Sequence, residues 1–163
     1  MSSVFENKNK NYGHPISGRR NFLKSEQLLQ YIRKAAEIRK IKLKAYQKTQ
    51  HDIAIIQALE KQFFQYHSIF ANASTELVAL GFEPRSVNGI IRITAAVQAK
   101  AAPFSPPSYA HSAARLIRRG AAELLKDSRC IDRYSENNRR ILELADTLKK
   151  ADERTIETFM KFL

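Results

Sequence analysis

The chain has 163 residues, of which 28 are Lys or Arg and 16 are Asp or Glu, and its formal net charge is +12. Its length predicts one domain with a core of its own, and its hydrophobic content of 44% excludes a wholly disordered polymer. No run of about 18 apolar residues is present, which excludes a membrane-spanning helix. The single Cys130 excludes an internal disulfide and favours a cytoplasmic protein.

The positive charge is concentrated towards the amino terminus. Residues 1–50 hold 12 Lys or Arg against 3 Asp or Glu, residues 51–100 hold 4 against 4, and residues 101–163 hold 12 against 9. Neutralising phosphates releases counterions, so a basic region of this kind is typical of a protein that binds a polyanion, most often nucleic acid. The distribution of charge therefore predicts a class of partner.

Residues 1–24 are rich in Asn, Lys, Ser and Gly, and their apolar residues follow no fixed period, so we expect a flexible basic arm. A single helical domain is predicted for residues 25–163. Ser25 is a suitable N-cap for a long basic helix. Its apolar positions repeat at the spacing of one helix face: Leu28, Tyr31, Ile32 and Ala35.

The boundary between the first and second helices has two alternatives. Asp52 can cap a second helix, or the first helix can continue through Thr49–Asp52 without a break. The end of this region is better defined, because Gly81 followed by Phe82 predicts a Schellman stop in which Phe82 folds back on Leu77.

Further helices are predicted from about Pro84 to Ala102, from Ser108 to about Asp127, from Asp132 or Ser135 to Lys150, and, as a short terminal helix, from Asp152. No segment alternates with period two, so the predicted fold class is all-α, a bundle of about five helices. The inward residues of the third helix are predicted to be Val87, Ile90, Ile91, Thr94 and Val97. The predicted core is Leu59, Phe63, Phe70, Leu77, Ile90, Leu116, Leu124, Ile141, Leu144 and Leu148.

The first helix has an unusual excess of positive charge. Residues 33–48 contain seven basic residues and one acid, whereas a solvated face usually mixes signs to form i, i+4 pairs. Three interpretations are open: a solvated charged face, a surface that follows phosphates, and an amphipathic membrane-surface helix. Arg39 and Lys42 fall inside the apolar sector, which indicates that this face meets an anionic group or that these long side chains snorkel.

A stretch resembling a helix-turn-helix motif occurs at residues 75–92. Gly81, Phe82, Val87 and Ile90 have the spacing of its turn glycine and inward positions. A recognition helix here would project three side chains suited to base edges: Arg85, Asn88 and Arg92. The alternative is an ordinary helical hairpin that stops at a glycine.

Seven arginines in the carboxy-terminal third form a second basic group, and the nine acids there are expected to pair with them. Catalysis is not indicated, because the four histidines lack metal-ligand spacing and no Gly-rich phosphate loop is present. We therefore expect no enzyme activity, no cofactor and no metal site.

The sequence predicts a non-enzymatic helical nucleic-acid-binding protein, with DNA favoured over RNA. The candidate contacts are Arg19, Arg20, Arg33, Lys34, Lys40, Lys42, Lys44, Lys48, Arg85, Asn88 and Arg92. The alternative is a helical adaptor or assembly subunit, such as a phage, conjugation or secretion component, that acts through protein partners or as a homo-oligomer.

Overall fold

A computed structural model describes residues 16–100 and 109–163 of the chain. These residues form five helices and no strand. The helices are α1 (Ile16–Gln47), α2 (Ile53–Ala79), α3 (Gly89–Lys100), α4 (Tyr109–Asp132) and α5 (Arg139–Met160). The predicted all-α bundle of five helices is confirmed, while most of the predicted arm, residues 1–15, lies outside the described residues.

Helix α1 begins at Ile16, well before the predicted N-cap. The rings of Phe22 and Phe82 lie 4.6 Å apart. Ser25 is inside the helix, where its hydroxyl lies 2.6 Å from the Asn137 side chain. Residues 16–24, predicted as the last part of the arm, are therefore helical.

The chain breaks between α1 and α2 at Asp52. The Asp52 Oδ1 atom accepts hydrogen bonds from the amides of Ala54 at 2.8 Å and Ile55 at 3.2 Å. Two of the amides that a helix leaves without an internal partner are therefore satisfied by the cap. Of the two alternatives left open, the capped second helix is correct.

Helix α2 ends in the predicted Schellman motif. Gly81 has a φ of +82°, a left-handed conformation that costs glycine little. The Phe82 amide donates to the Leu77 carbonyl and the Gly81 amide donates to the Val78 carbonyl, both at 2.9 Å.

The segment 82–88 is not helical and α3 begins at Gly89, so the prediction of a helix from Pro84 was wrong. Three α1 side chains on one face bond to the backbone of this segment: Gln30, Arg33 and Glu37. Gln30 accepts from the Arg85 amide at 3.0 Å, Glu37 accepts from the Val87 amide at 3.2 Å, and Arg33 donates to the Arg85 carbonyl. These bonds satisfy backbone groups that a helix would otherwise pair internally.

The residues that face the core at α3 differ from those predicted. Val87, just before α3, and Ala95 within it are buried. Ile90, Ile93 and Val97 are 77%, 65% and 58% exposed. Ile90 and Val97, like the exposed Thr94, were therefore wrongly predicted to point inward, and Ile90 does not belong to the core.

Helices α4 and α5 both end later than predicted. Asn138 caps α5 by accepting from the Ile141 amide at 3.0 Å, and the helix continues to Met160. The separate terminal helix from Asp152 does not exist, because the Asp152 side chain bonds inside the bundle instead of capping a new helix. On α4, the Cβ of an alanine in place of Gly120 would lie 2.9 Å from Ile156, so the two helices approach closely there.

Helix α1 packs against α2, α3 and α5, and α4 packs against α5. Six of the ten predicted core residues are buried: Leu59, Leu77, Leu116, Ile141, Leu144 and Leu148. Phe63, Phe70 and Leu124 are only half-buried.

Arg39, a basic residue in the apolar sector of α1, is buried and has acidic partners inside the bundle. It is 6% exposed, and its guanidinium lies 2.7 Å from carboxylate oxygens of both Asp127 on α4 and Asp152 on α5. Tyr31 donates to Asp127, and Tyr66 donates to Asp152 at 2.6 Å. The expected anionic group is thus inside the protein itself.

Candidate nucleic-acid interface

A groove of about 340 Å³ lies on the surface between α1, α2 and α3. Four cationic side chains and two aromatic rings line much of it: Lys40, Lys44, Lys48, Arg92, Phe63 and Phe70. The structure therefore brings four of the predicted nucleic-acid contacts together at one concave site.

The three lysines form a ladder along one side of α1. They are four residues apart, which separates neighbouring positions by about 6 Å along a helix axis. Lys48 follows the last residue of α1, and its amide still bonds to the Lys44 carbonyl at 3.2 Å. Arg92 reaches the groove from α3.

The aromatic floor of the groove comes from α2. Phe63 and Phe70 are seven residues apart, or about two helical turns. The Lys44 Nζ atom lies 4.6 Å from the centre of the Phe63 ring, and the Lys40 Nζ atom lies 4.3 Å from that of Phe70. These are cation–π distances, so each ring has an ammonium group over it.

The groove has little negative charge to balance its cations. Its carboxylate, Glu37, is paired with Arg92 at 2.6 Å and lies 3.8 Å from the buried Arg33. Within the described ranges, Lys40, Lys44 and Lys48 form no ion pair with a carboxylate.

The pKa of Lys40 is lowered, chiefly because partial burial disfavours the charged form. The nearby Arg33 and Arg92 lower it further, while Glu37 raises it. An anion that entered the groove would relieve this repulsion.

The remaining basic candidates on α1 lie elsewhere. Arg19, Arg20 and Lys34 are exposed outside the groove. Arg33 is buried, and its Nε atom donates to Ser74 at 2.9 Å. Lys42 is half-buried and paired with Glu123 on the face towards α4. Arg33 and Lys42 therefore bind the protein's own groups.

The helix-turn-helix geometry is absent from residues 80–92. Arg85 and Asn88 lie in the non-helical segment 82–88, and of the three only Arg92 lies on a helix. Arg85 is paired with Glu26 at 3.3 Å. The Asn88 Oδ1 atom accepts from the Ile91 amide at 2.8 Å, which is the bond of an N-cap. The prediction that all three project from a recognition helix was wrong.

Several of the carboxy-terminal arginines bond within the chain, and Arg139 pairs with an acid of the same third, as predicted. Arg139 pairs with Glu143 at 2.8 Å, and Arg140 pairs with Glu76 at 2.7 Å. Arg119 donates to the Tyr46 hydroxyl at 3.0 Å.

The spacing of Lys40, Lys44 and Lys48 can be read from the sequence, but the existence of the groove cannot. The spacing of Phe63 and Phe70 predicts core residues and cannot reveal that their rings also meet Lys44 and Lys40. The sequence predicted Arg92 as a base contact of a helix-turn-helix motif, and that motif does not form. The place of Arg92 in the groove depends on the tertiary fold, which pairs it with Glu37, 55 residues earlier in the chain.

Among the residues in ranges 16–100 and 109–163, no group of three or more His, Cys, Asp or Glu side chains is placed to hold a metal ion. No helix in these ranges is long and apolar enough to cross a membrane. Comparison with protein-family models, curated proteins and solved structures found no match.

Proposed function

We propose that the protein is a non-enzymatic nucleic-acid-binding protein that holds phosphates in the groove. The observation that carries this proposal is the set of Lys40, Lys44 and Lys48, which share one concave surface and have no carboxylate partner in the described part of the chain. A ladder of cations suits a partner that is itself a regular chain of negative charges.

DNA is the expected ligand. We also propose a cytoplasmic location, because Cys130 is a free thiol. Arg33, Lys42 and Asn88 bond to other groups of the chain, so we propose an interface with fewer residues than the sequence predicted. Phosphate contacts position a nucleic acid but do not read its sequence, so the groove is expected to bind with little sequence preference.

The proposal is tested by replacing Lys40, Lys44 and Lys48 together with Gln. A matched control removes the same charge from three exposed lysines outside the groove: Lys126, Lys150 and Lys161. The groove variant should lose most of its affinity for labelled DNA at low salt, and the control should keep it. Equal affinity in the two variants, with helicity intact, would exclude the groove as the interface.

A second candidate, a helical adaptor or assembly subunit, is favoured by the exposed face formed by Ile90, Ile93 and Val97 on α3. The simplest partner is a second copy of this chain. Sedimentation at high salt would then show a concentration-dependent dimer that Ile93→Glu abolishes. A monomer at all concentrations would contradict self-association through this face.

A further inference from the structure

We propose that the groove is built for single-stranded nucleic acid, with bases stacked on Phe63 and Phe70 while Lys40 and Lys44 hold the neighbouring phosphates. This inference rests on the proposed function and names the form of nucleic acid that the same site prefers.

The groove contains two copies of the same arrangement. Lys44 lies over Phe63, and Lys40 lies over Phe70. Each copy combines a cation with an aromatic face, and a nucleotide of a single strand presents one phosphate and one base. Proteins that bind single strands combine a positively charged groove with aromatic stacking surfaces in this way.

A duplex does not use this arrangement. Its bases are stacked inside the helix, so it can offer its phosphates to the lysines but no base to the rings. The cavity volume of about 340 Å³ is at the lower end of the range of about 300–1,000 Å³ for small-ligand pockets.

The ammonium groups over the rings do not block stacking. Lys40 and Lys44 are long and flexible, and their contacts with Phe70 and Phe63 are modest cation–π contacts. An incoming base can replace the ammonium on the ring while the ammonium moves to a phosphate. Arg33, which also lies 4.4 Å from the Phe70 ring, is held by Ser74 and stays in place as support.

The test uses the full chain and three labelled probes with equal numbers of phosphates. They are a thymidine oligonucleotide, an abasic strand of the same length and a duplex. The thymidine strand should bind at least about 5-fold more tightly than the abasic strand, because one stacked base contributes about a 5- to 150-fold change in affinity. The duplex should bind no more tightly than the abasic strand.

Phe63→Leu and Phe70→Leu keep an apolar side chain but remove the ring. Each should weaken binding of the thymidine strand by about 5-fold or more and leave the abasic strand within about 2-fold. Phe64→Leu is the matched control, because Phe64 is an exposed α2 aromatic that does not line the groove. Thermal unfolding of each variant checks that the fold is kept.

The outcomes separate the two proposals. Binding of all three probes with similar affinity, dependent on the lysines, would overturn the stacking inference and leave the proposed function standing. Binding of none of them would overturn both. An acidic poly-glutamate peptide that binds more tightly than the thymidine strand would assign the groove to a protein partner and would also overturn the inference. The comparison of the thymidine and abasic strands needs no variant, so the inference stays testable if a Phe variant fails to fold.

Discussion

Arg39 of α1 and Asp152 of α5 form a two-pronged ion pair inside the bundle, with Nε–Oδ1 at 2.7 Å and Nη2–Oδ2 at 3.0 Å. The same guanidinium bonds to Asp127 of α4 at 2.7 Å. One buried cation thus joins three helices. Removing one member of such a cluster leaves an uncompensated charge away from water.

At a pH above the folded pKa of Asp127, replacing Arg39 with Met should lower the free energy of unfolding by about 3–5 kcal/mol, since Asp127 and Asp152 would then lack their buried partner. Urea unfolding followed by circular dichroism measures this change. The triple variant R39M/D127N/D152N should recover part of the loss because the buried negative charges are also removed. A loss below about 1 kcal/mol in R39M would contradict the role of Arg39 as the link between the helices.

The contribution of Asp127 to the stability of the protein should fall as the pH rises from about 4 to about 7. Burial raises the pKa of Asp127 to about 7, with a further contribution from its hydrogen bond to Asp152, while Arg39 and Tyr31 lower it. The folded state therefore holds a proton that the unfolded chain releases near pH 4. This stabilisation is complete below the unfolded pKa and is lost as the pH rises through the folded pKa.

The variant D127N isolates this contribution, because it cannot titrate at that position. The free energy of unfolding of the wild type is compared with that of D127N at each pH. Relative to D127N, the wild type should lose on the order of 1 kcal/mol or more between pH 4 and pH 7. A constant difference over this range would show that Asp127 is ionised throughout.

Asn88→Ala should destabilise the protein by about 1 kcal/mol, because the bond from the Ile91 amide to the cap is lost. Asn88→Ser should keep most of the stability, since serine is also a good N-cap. Affinity for DNA should be unchanged in both variants. A stable Asn88→Ala variant that loses preference for a particular DNA sequence would restore the base-reading role.

Local rules were enough to predict where α2 ends and to give Asp52 as one of two alternatives for its start. Asp52 bonds to amides two and three residues away, and the Schellman motif joins Gly81 and Phe82 to the preceding turn. Such bonds depend on neighbours in the chain, so residue type and spacing reveal them.

The start of α3 could not be predicted in this way. The backbone of the non-helical segment before it bonds to Gln30 and Glu37, which lie 50 or more residues earlier in the chain. The position of Arg39 in an apolar sector indicated either an anionic partner or a snorkelling side chain, and the first alternative is correct. Its partners Asp127 and Asp152 are far away in the sequence, and only the packing of α4 and α5 brings them to it.

Each of the two faces that line the candidate groove could be predicted from the sequence, but their contact could not. The spacing of the lysines on α1 indicated a cationic face, and the spacing of Phe63 and Phe70 indicated an apolar one. That the two faces border one groove, so that Lys40 lies over Phe70, follows from the pairing of α1 with α2.

The most direct test of the groove as a phosphate-binding surface is the salt dependence of DNA binding. The logarithm of the association constant is measured against the logarithm of salt concentration for the wild type, the Gln variant of Lys40, Lys44 and Lys48, and the matched control. Each lost phosphate contact should reduce the slope by about 0.7–0.9, so the groove variant should have a slope smaller by about 2 to 3 while the control keeps the wild-type slope. Identical slopes in all three proteins would contradict phosphate binding in the groove.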